Sequence, residues 1–152
     1  TLTYQNIGTG TDVRDTYTLL DDDYVGSELV VNGNFATDAD WNKSTGWSIS
    51  GDSANGLNIA SGGQSFSQSS VFGSNRVYFS SISTSAASSG SLGVVAGGGG
   101  GTLFSNINSV GTFTSTTAVG STNGTLFING SDGPEYTGSI DNISVKRLIE
   151  VA

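Results

Sequence analysis

From Glu28 to Leu148 the apolar residues come in short runs, mostly alternating with Ser, Thr, Asn or Gly. A two-residue period sends side chains alternately to two faces, as in half-buried strands, and no segment holds the 3.6-residue period of a helix. The pattern predicts a first strand over 28–31, stopped by the turn-forming pair Asn32-Gly33. Asp38-Ala39-Asp40-Trp41 predicts a single helical turn. Short strands follow over 47–50, 57–60 and 65–70, separated by Gly51-Asp52 and Gly62-Gly63. Val77 and Phe79 face one way and Tyr78 and Ser80 the other. Ile82 breaks the apolar phase, which puts a bulge or a strand end near Ser81. Strands over 91–96, 102–107, 112–117, 125–129 and 139–148 complete the set, and five glycines, Gly97 to Gly101, end the first of these. Turn signals at roughly 8–12-residue spacing predict an all-β, antiparallel β-sandwich.

Residues 1–27 show no clear period. They hold Gly8-Thr9-Gly10, the run Asp21-Asp22-Asp23 and three tyrosines, Tyr4, Tyr17 and Tyr24. They read as an extended N-terminal arm, with one short strand over 16–20, ahead of a sandwich spanning 28–152.

Composition narrows the function classes. A chain of 152 residues is long enough to bury a core. It has no cysteine and no histidine, which removes disulfides, thiolate metal sites, the usual zinc ligand and the usual general base. A net charge of −8, with only Arg14, Lys43, Arg76, Lys146 and Arg147 positive, argues against a nucleic-acid partner. No apolar run approaches the 18 or more residues of a membrane-spanning helix, and Thr1-Leu2-Thr3-Tyr4-Gln5-Asn6 does not read as a secretory signal. From Ser53 to Ser131 the only charged residue is Arg76. A neutral Ser/Thr/Gly surface on short strands suits an extracellular or virion β-protein that packs against copies of itself.

Candidate chemistry is sparse. Without His and Cys there is no Ser-His-Asp or Cys-His arrangement, and no carboxylate lies between Asp52 and Asp132 to make a glycosidase pair, so no enzyme is expected. Gly97–Gly101 lacks the Lys-Ser/Thr of a phosphate loop and reads as a hairpin loop or a close-packing surface. The aspartates at 21–23 do not have the spacing of a looped calcium site and read as a solvated turn. Asp141 falls in phase with Ile143 and Val145, which aims its carboxylate at the apolar side and demands a cation or hydrogen-bond donors. Flat aromatic rings are what a sugar-binding face needs: Trp41, Tyr78 and Tyr136 are the candidates, whereas Trp47 is expected in the core.

Three pieces of the chain form a set: Glu28-Leu29-Val30-Val31-Asn32-Gly33-Asn34-Phe35, Gly46-Trp47-Ser48-Ile49-Ser50, and Gly138 through Lys146 with Ile140-Asp141-Asn142-Ile143-Ser144-Val145 at its centre. Together they resemble the carbohydrate-binding-module-like, galactose-binding-like jelly-roll β-sandwich. With Ala36-Thr37-Asp38, Trp41 and Ser88-Ser89-Gly90-Ser91-Leu92, the stretch is similar to jelly-roll-like modules of tailed-phage virion proteins. The resemblance implies a surface-exposed structural module, which leads to the expectation of a capsid decoration or head-fibre protein on the virion surface. The arm lies outside the resemblance. Because extended arms can add a strand to another chain's sheet, Tyr4, Tyr17, Leu19 and Leu20 are expected to dock on partners such as the major capsid protein. A homo-oligomer closed by symmetry is also expected, with a trimer favoured. The alternative is a carbohydrate-binding or tail-fibre adhesion module that recognises cell-surface glycans. In this family the last-strand Asp often helps hold a structural calcium with an acidic residue just after the Asn-Gly-x-Phe phenylalanine. Here that position is Ala36, which cannot ligate, so hydrogen bonding to neighbouring amides is the expected use of Asp141, with calcium as the alternative and no other cofactor.

Overall fold

The computed structural model describes residues 25–149 apart from Gly63 and Asp132. The arm residues Tyr4, Tyr17, Leu19 and Leu20 and the strand expected over 16–20 lie outside the described residues. In chain order the strands are β1 (Val25–Glu28), β2 (Asn42–Lys43), β3 (Trp47–Ser50), β4 (Ser53–Ile59), β5 (Phe66–Gln68), β6 (Arg76–Ser89), β7 (Leu92–Ala96), β8 (Gly101–Ile107), β9 (Gly111–Val119), β10 (Leu126–Gly130) and β11 (Tyr136–Leu148). One sheet has six strands in the order β3-β4-β11-β6-β9, with β1 also pairing β11; the other has five in the order β2-β5-β10-β7-β8. Every pairing between these strands is antiparallel. The all-β sandwich read from the alternation is the fold.

Inward rows from both sheets make one apolar layer, in which Ile59, Ile82, Leu92, Val94, Leu126, Ile128, Ile140 and Val145 are fully buried. Burial of such side chains at roughly 25 cal/mol per Å² is what holds the two sheets face to face. A chain of aromatic rings runs through this layer. Phe66 stacks on Trp41 at 4.5 Å and on Trp47 at 5.1 Å, Phe35 lies 5.6 Å from Trp41, and Trp47 meets Tyr136 at 6.5 Å.

The two ends of the sandwich meet in space. Ile143 of β11 donates its backbone N–H to Gly33 at 2.9 Å. A side chain at residue 33 would place its first carbon 2.2 Å from the Ile143 carbonyl, so only glycine allows this approach. Asn32 adopts a positive φ of 51° and uses its amide to hold the carbonyls of Thr37 at 2.7 Å and Ala39 at 3.0 Å. Trp41 donates its indole N–H to the Asn32 carbonyl at 3.1 Å. The Asn-Gly-x-Phe segment is therefore a clasp on the last strand.

Three local expectations give way. The first strand is β1, and the run 29–31 leaves the ladder. There the Glu28 carboxylate accepts the N–H groups of Leu29 and Val30 at 3.1 Å each and of Val145 at 2.8 Å, while buried Gln68 pairs with both the N–H and the carbonyl of Val31 at 2.8 Å. Residues 38–41 form bends, with Asp40 at φ 67°, in place of a helical turn. β6 runs past Ser81 without a break in its register with β9. The inward row there is Tyr78, Ser80, Ile82 and Thr84, so the half-buried Val77 and Phe79 face outward. Two hydroxyl residues in the inward row had disguised the phase.

Candidate functional site

The three aromatic candidates are all taken up by the core. Trp41 is 7 % exposed and lies flat on Phe66. Tyr78 packs edge-on against Phe72, donates its hydroxyl to the Gly73 carbonyl at 3.1 Å and accepts the Gly73 N–H at 2.6 Å. Tyr136, fully buried, donates to the Ala86 carbonyl at 3.3 Å, and burial pushes its phenol up to about 12. None of the three offers a ring face to a ligand, because each already spends that face on packing.

Asp141 is also placed differently from its expectation. β11 carries a bulge between Ile140, opposite Thr84, and Asn142, opposite Ser83, and Asp141 is the extra residue. The bulge shifts the phase, so Ile140 and Ile143 both face inward while Asp141 is half-exposed. Its carboxylate accepts hydroxyl hydrogens from Ser53 at 3.0 Å and Ser85 at 2.5 Å, where backbone amides had been expected. Among the described residues no three carboxylates group to hold a metal.

Among the described residues, three shallow grooves stand out. One, about 480 Å³, lies at the end of the six-stranded sheet between Arg76, Arg147 and the apolar side chains of Val77, Leu148 and Ile149. A second, about 580 Å³, crosses the outer side of the same sheet over β3, β4 and β11. Most of its polar side chains are already engaged. Ser139 donates to Asn55 at 2.7 Å, the Asn55 amide bonds the Ser50 carbonyl at 3.3 Å, Ser88 donates to the Thr137 carbonyl at 3.0 Å, and Thr137 donates to Asn58 at 3.4 Å.

The third groove, about 450 Å³, lies on the outer side of the five-stranded sheet, over β7, β8 and β10. It differs from the second in one respect. Thr102, Ser105, Asn106, Asn129 and Ser131 line it, and none of their side chains hydrogen-bonds to another described residue. Each carboxamide presents a donor and an acceptor in one plane, and each hydroxyl can rotate to do either. The floor is Gly93, opposite Asn129 in the ladder, where a side-chain carbon would sit 3.1 Å from the Ser131 hydroxyl and 3.6 Å from the Asn129 carboxamide oxygen. The missing side chain is what keeps the groove open.

An apolar strip adjoins it. Phe127 pairs with Val95 one step along the ladder from Asn129 and Gly93, and both are half-buried on this outer face. The Phe127 ring rests on Gly97, where a side-chain carbon would come within 2.5 Å of it. Gly97 is thus a close-packing position that makes room for an aromatic ring beside the groove. Among the described residues, none that lines the groove is charged. None of these residues stood out in the sequence. Leu126-Phe127-Ile128 reads as a uniform apolar strand, and only the pairing with β7 shows that Phe127 and Asn129 share the outer face while Leu126 and Ile128 are inside.

No protein-family model matches the chain, and no curated protein sequence does. Among solved structures, the chain is similar to the CBM22-1 xylan-binding domain from Paenibacillus barcinonensis Xyn10C. The TM-score is 0.55 at 14 % identity, over 83 % of this chain and 97 % of that domain. At that identity the likeness is one of fold, the antiparallel β-sandwich.

Proposed function

We propose that this chain is a non-catalytic glycan-binding module that takes a neutral polysaccharide across the outer face of its five-stranded sheet. The observation that carries the reading is the groove over Gly93, where the side chains of Thr102, Ser105, Asn106, Asn129 and Ser131 have no hydrogen-bond partner among the described residues. Groups already bonded to each other must break those bonds to bind a sugar, whereas free ones exchange only water. Asn106 and Asn129 would each span a pair of ring hydroxyls, Thr102 and Ser131 would meet single hydroxyls, and Phe127 would pack against the C–H face of a neighbouring unit. A lining without charge among the described residues and the net charge of −8 favour a neutral polymer over an acidic one. The likeness to a xylan-binding domain supports the ligand class and makes xylan the first probe. The virion placement expected from the sequence finds no support in the fold, and glycan binding takes its place as the first reading.

Titration of soluble xylan and neutral β-glucans by calorimetry or affinity electrophoresis tests this. Saturable binding is expected, weakened about tenfold by Asn129→Ala, a loss of roughly 1–1.5 kcal/mol for one or two hydrogen bonds. Gly93→Val, which fills the floor, should abolish it while circular dichroism shows an intact sheet. Binding that neither substitution alters would remove this groove as the site, and no binding to any neutral polysaccharide would remove the reading.

A further inference from the structure

A sheet edge left long, straight and uncharged is a template for another chain, and proteins blunt their edges by shortness, bulges or charge. Most edges here are blunted in one of these ways. β2 has two residues and ends on Lys43, β3 has four, β1 has four with a register shift and ends on Glu28, and β8 has two register shifts against β7. β9 is the exception. It is nine residues long, pairs in unbroken register with β6 and with no other strand among the described residues, and contains no charge and no proline. Phe113 in its inward row is only half-buried at the margin of the core.

We infer that β9 is a self-association edge, pairing antiparallel with β9 of a second copy about a two-fold axis at Ser115. The strand is complementary to itself in that register. Thr114 would face Thr116 of the other copy and Thr112 would face Ala118, all four on the exposed outer row. Cross-strand Thr pairs are favourable, and no like charges oppose each other. Two-fold pairing uses the same patch on both copies and closes, so it consumes the edge without forming a fibre. The neutral stretch from Ser53 to Ser131 lets two chains of net charge −8 meet there without bringing carboxylates together. The assembly is a dimer with one sheet running through both copies, unlike the trimer expected from the sequence. It leaves the outer face of the five-stranded sheet open.

Sedimentation velocity on the full chain, from low to high micromolar concentration, tests this with two double variants on the exposed row. The native chain should show a concentration-dependent monomer–dimer equilibrium. Thr114→Lys with Thr116→Lys sets two like-charge pairs across the axis and should raise the dimer dissociation constant at least about tenfold. Thr114→Glu with Thr116→Lys sets two opposite-charge pairs and should keep the native constant or lower it. A native chain that stays monomeric throughout, or a double-lysine variant that dimerises like the native chain, overturns the edge. A Glu/Lys variant that dissociates like the double-lysine one overturns the two-fold register.

Discussion

Tyr136 shows how a single side chain ties the core to a measurable property. Its ring passes over Gly138, where a side-chain carbon would lie 2.4 Å from the phenol oxygen. The glycine therefore makes the room that the ring fills. Burial raises the phenol from 10.0 to about 12, because a phenolate in the apolar layer would lose its hydration. The folded pKa lies above the unfolded one, so the stabilising contribution is intact below pH 10. It is lost as the pH climbs through 12. Two pH units correspond to roughly 2–3 kcal/mol. Urea denaturation at a series of alkaline pH values should show the native chain losing stability over this interval with a steeper slope than Tyr136→Phe. Equal slopes would mean that the phenol ionises in the folded core without penalty.

Among the elements, alternation alone located most strands, because a half-buried strand leaves a period of two wherever its inward row is apolar. Trp47 and Ile49 of β3 are such a case. The readings failed where a hydroxyl residue stands in the inward row or the register shifts. In β6 the inward Ser80 and Thr84 interrupt the apolar row, and in β11 one inserted residue changes the phase between Ile140 and Ile143. Asp141 was read on the wrong side of that bulge for this reason, and the groove over Gly93 stayed invisible because its residues come together only through sheet pairing. The bulge also bears on calcium. With Ser53 and Ser85 donating to the Asp141 carboxylate, its charge is met by hydroxyls. Millimolar chelator should leave the melting temperature unchanged, whereas Asp141→Ala should cost about 1–2 kcal/mol by removing the acceptor shared by both hydroxyls. A chelator-induced drop in melting temperature would establish a bound cation.

At the scale of the whole molecule, a chain without disulfides, folded as two facing sheets, must be held together by the layer between them. The aromatic chain is the part of that layer joining the most distant sequence segments: Phe35 and Trp41 from the clasp, Trp47 from β3, Phe66 from β5 and Tyr136 from β11. Phe66 is its hub, fully buried and belonging to the five-stranded sheet, while Trp47 and Tyr136 belong to the other. Phe66→Ala leaves a cavity that the surrounding large rings cannot collapse into, at a cost of about 3–5 kcal/mol. That is a large share of the roughly 5–15 kcal/mol available to a domain of ordinary stability. Trp41 and Trp47 flank the hub, so their fluorescence reports the inter-sheet layer and far-ultraviolet circular dichroism reports the sheets. In urea the two signals should change together in the native chain, and Phe66→Ala should move both midpoints down equally with an unchanged slope. If fluorescence were lost first while the sheet signal persisted, the layers would be separable, and the aromatic chain would be filler between two independently stable sheets.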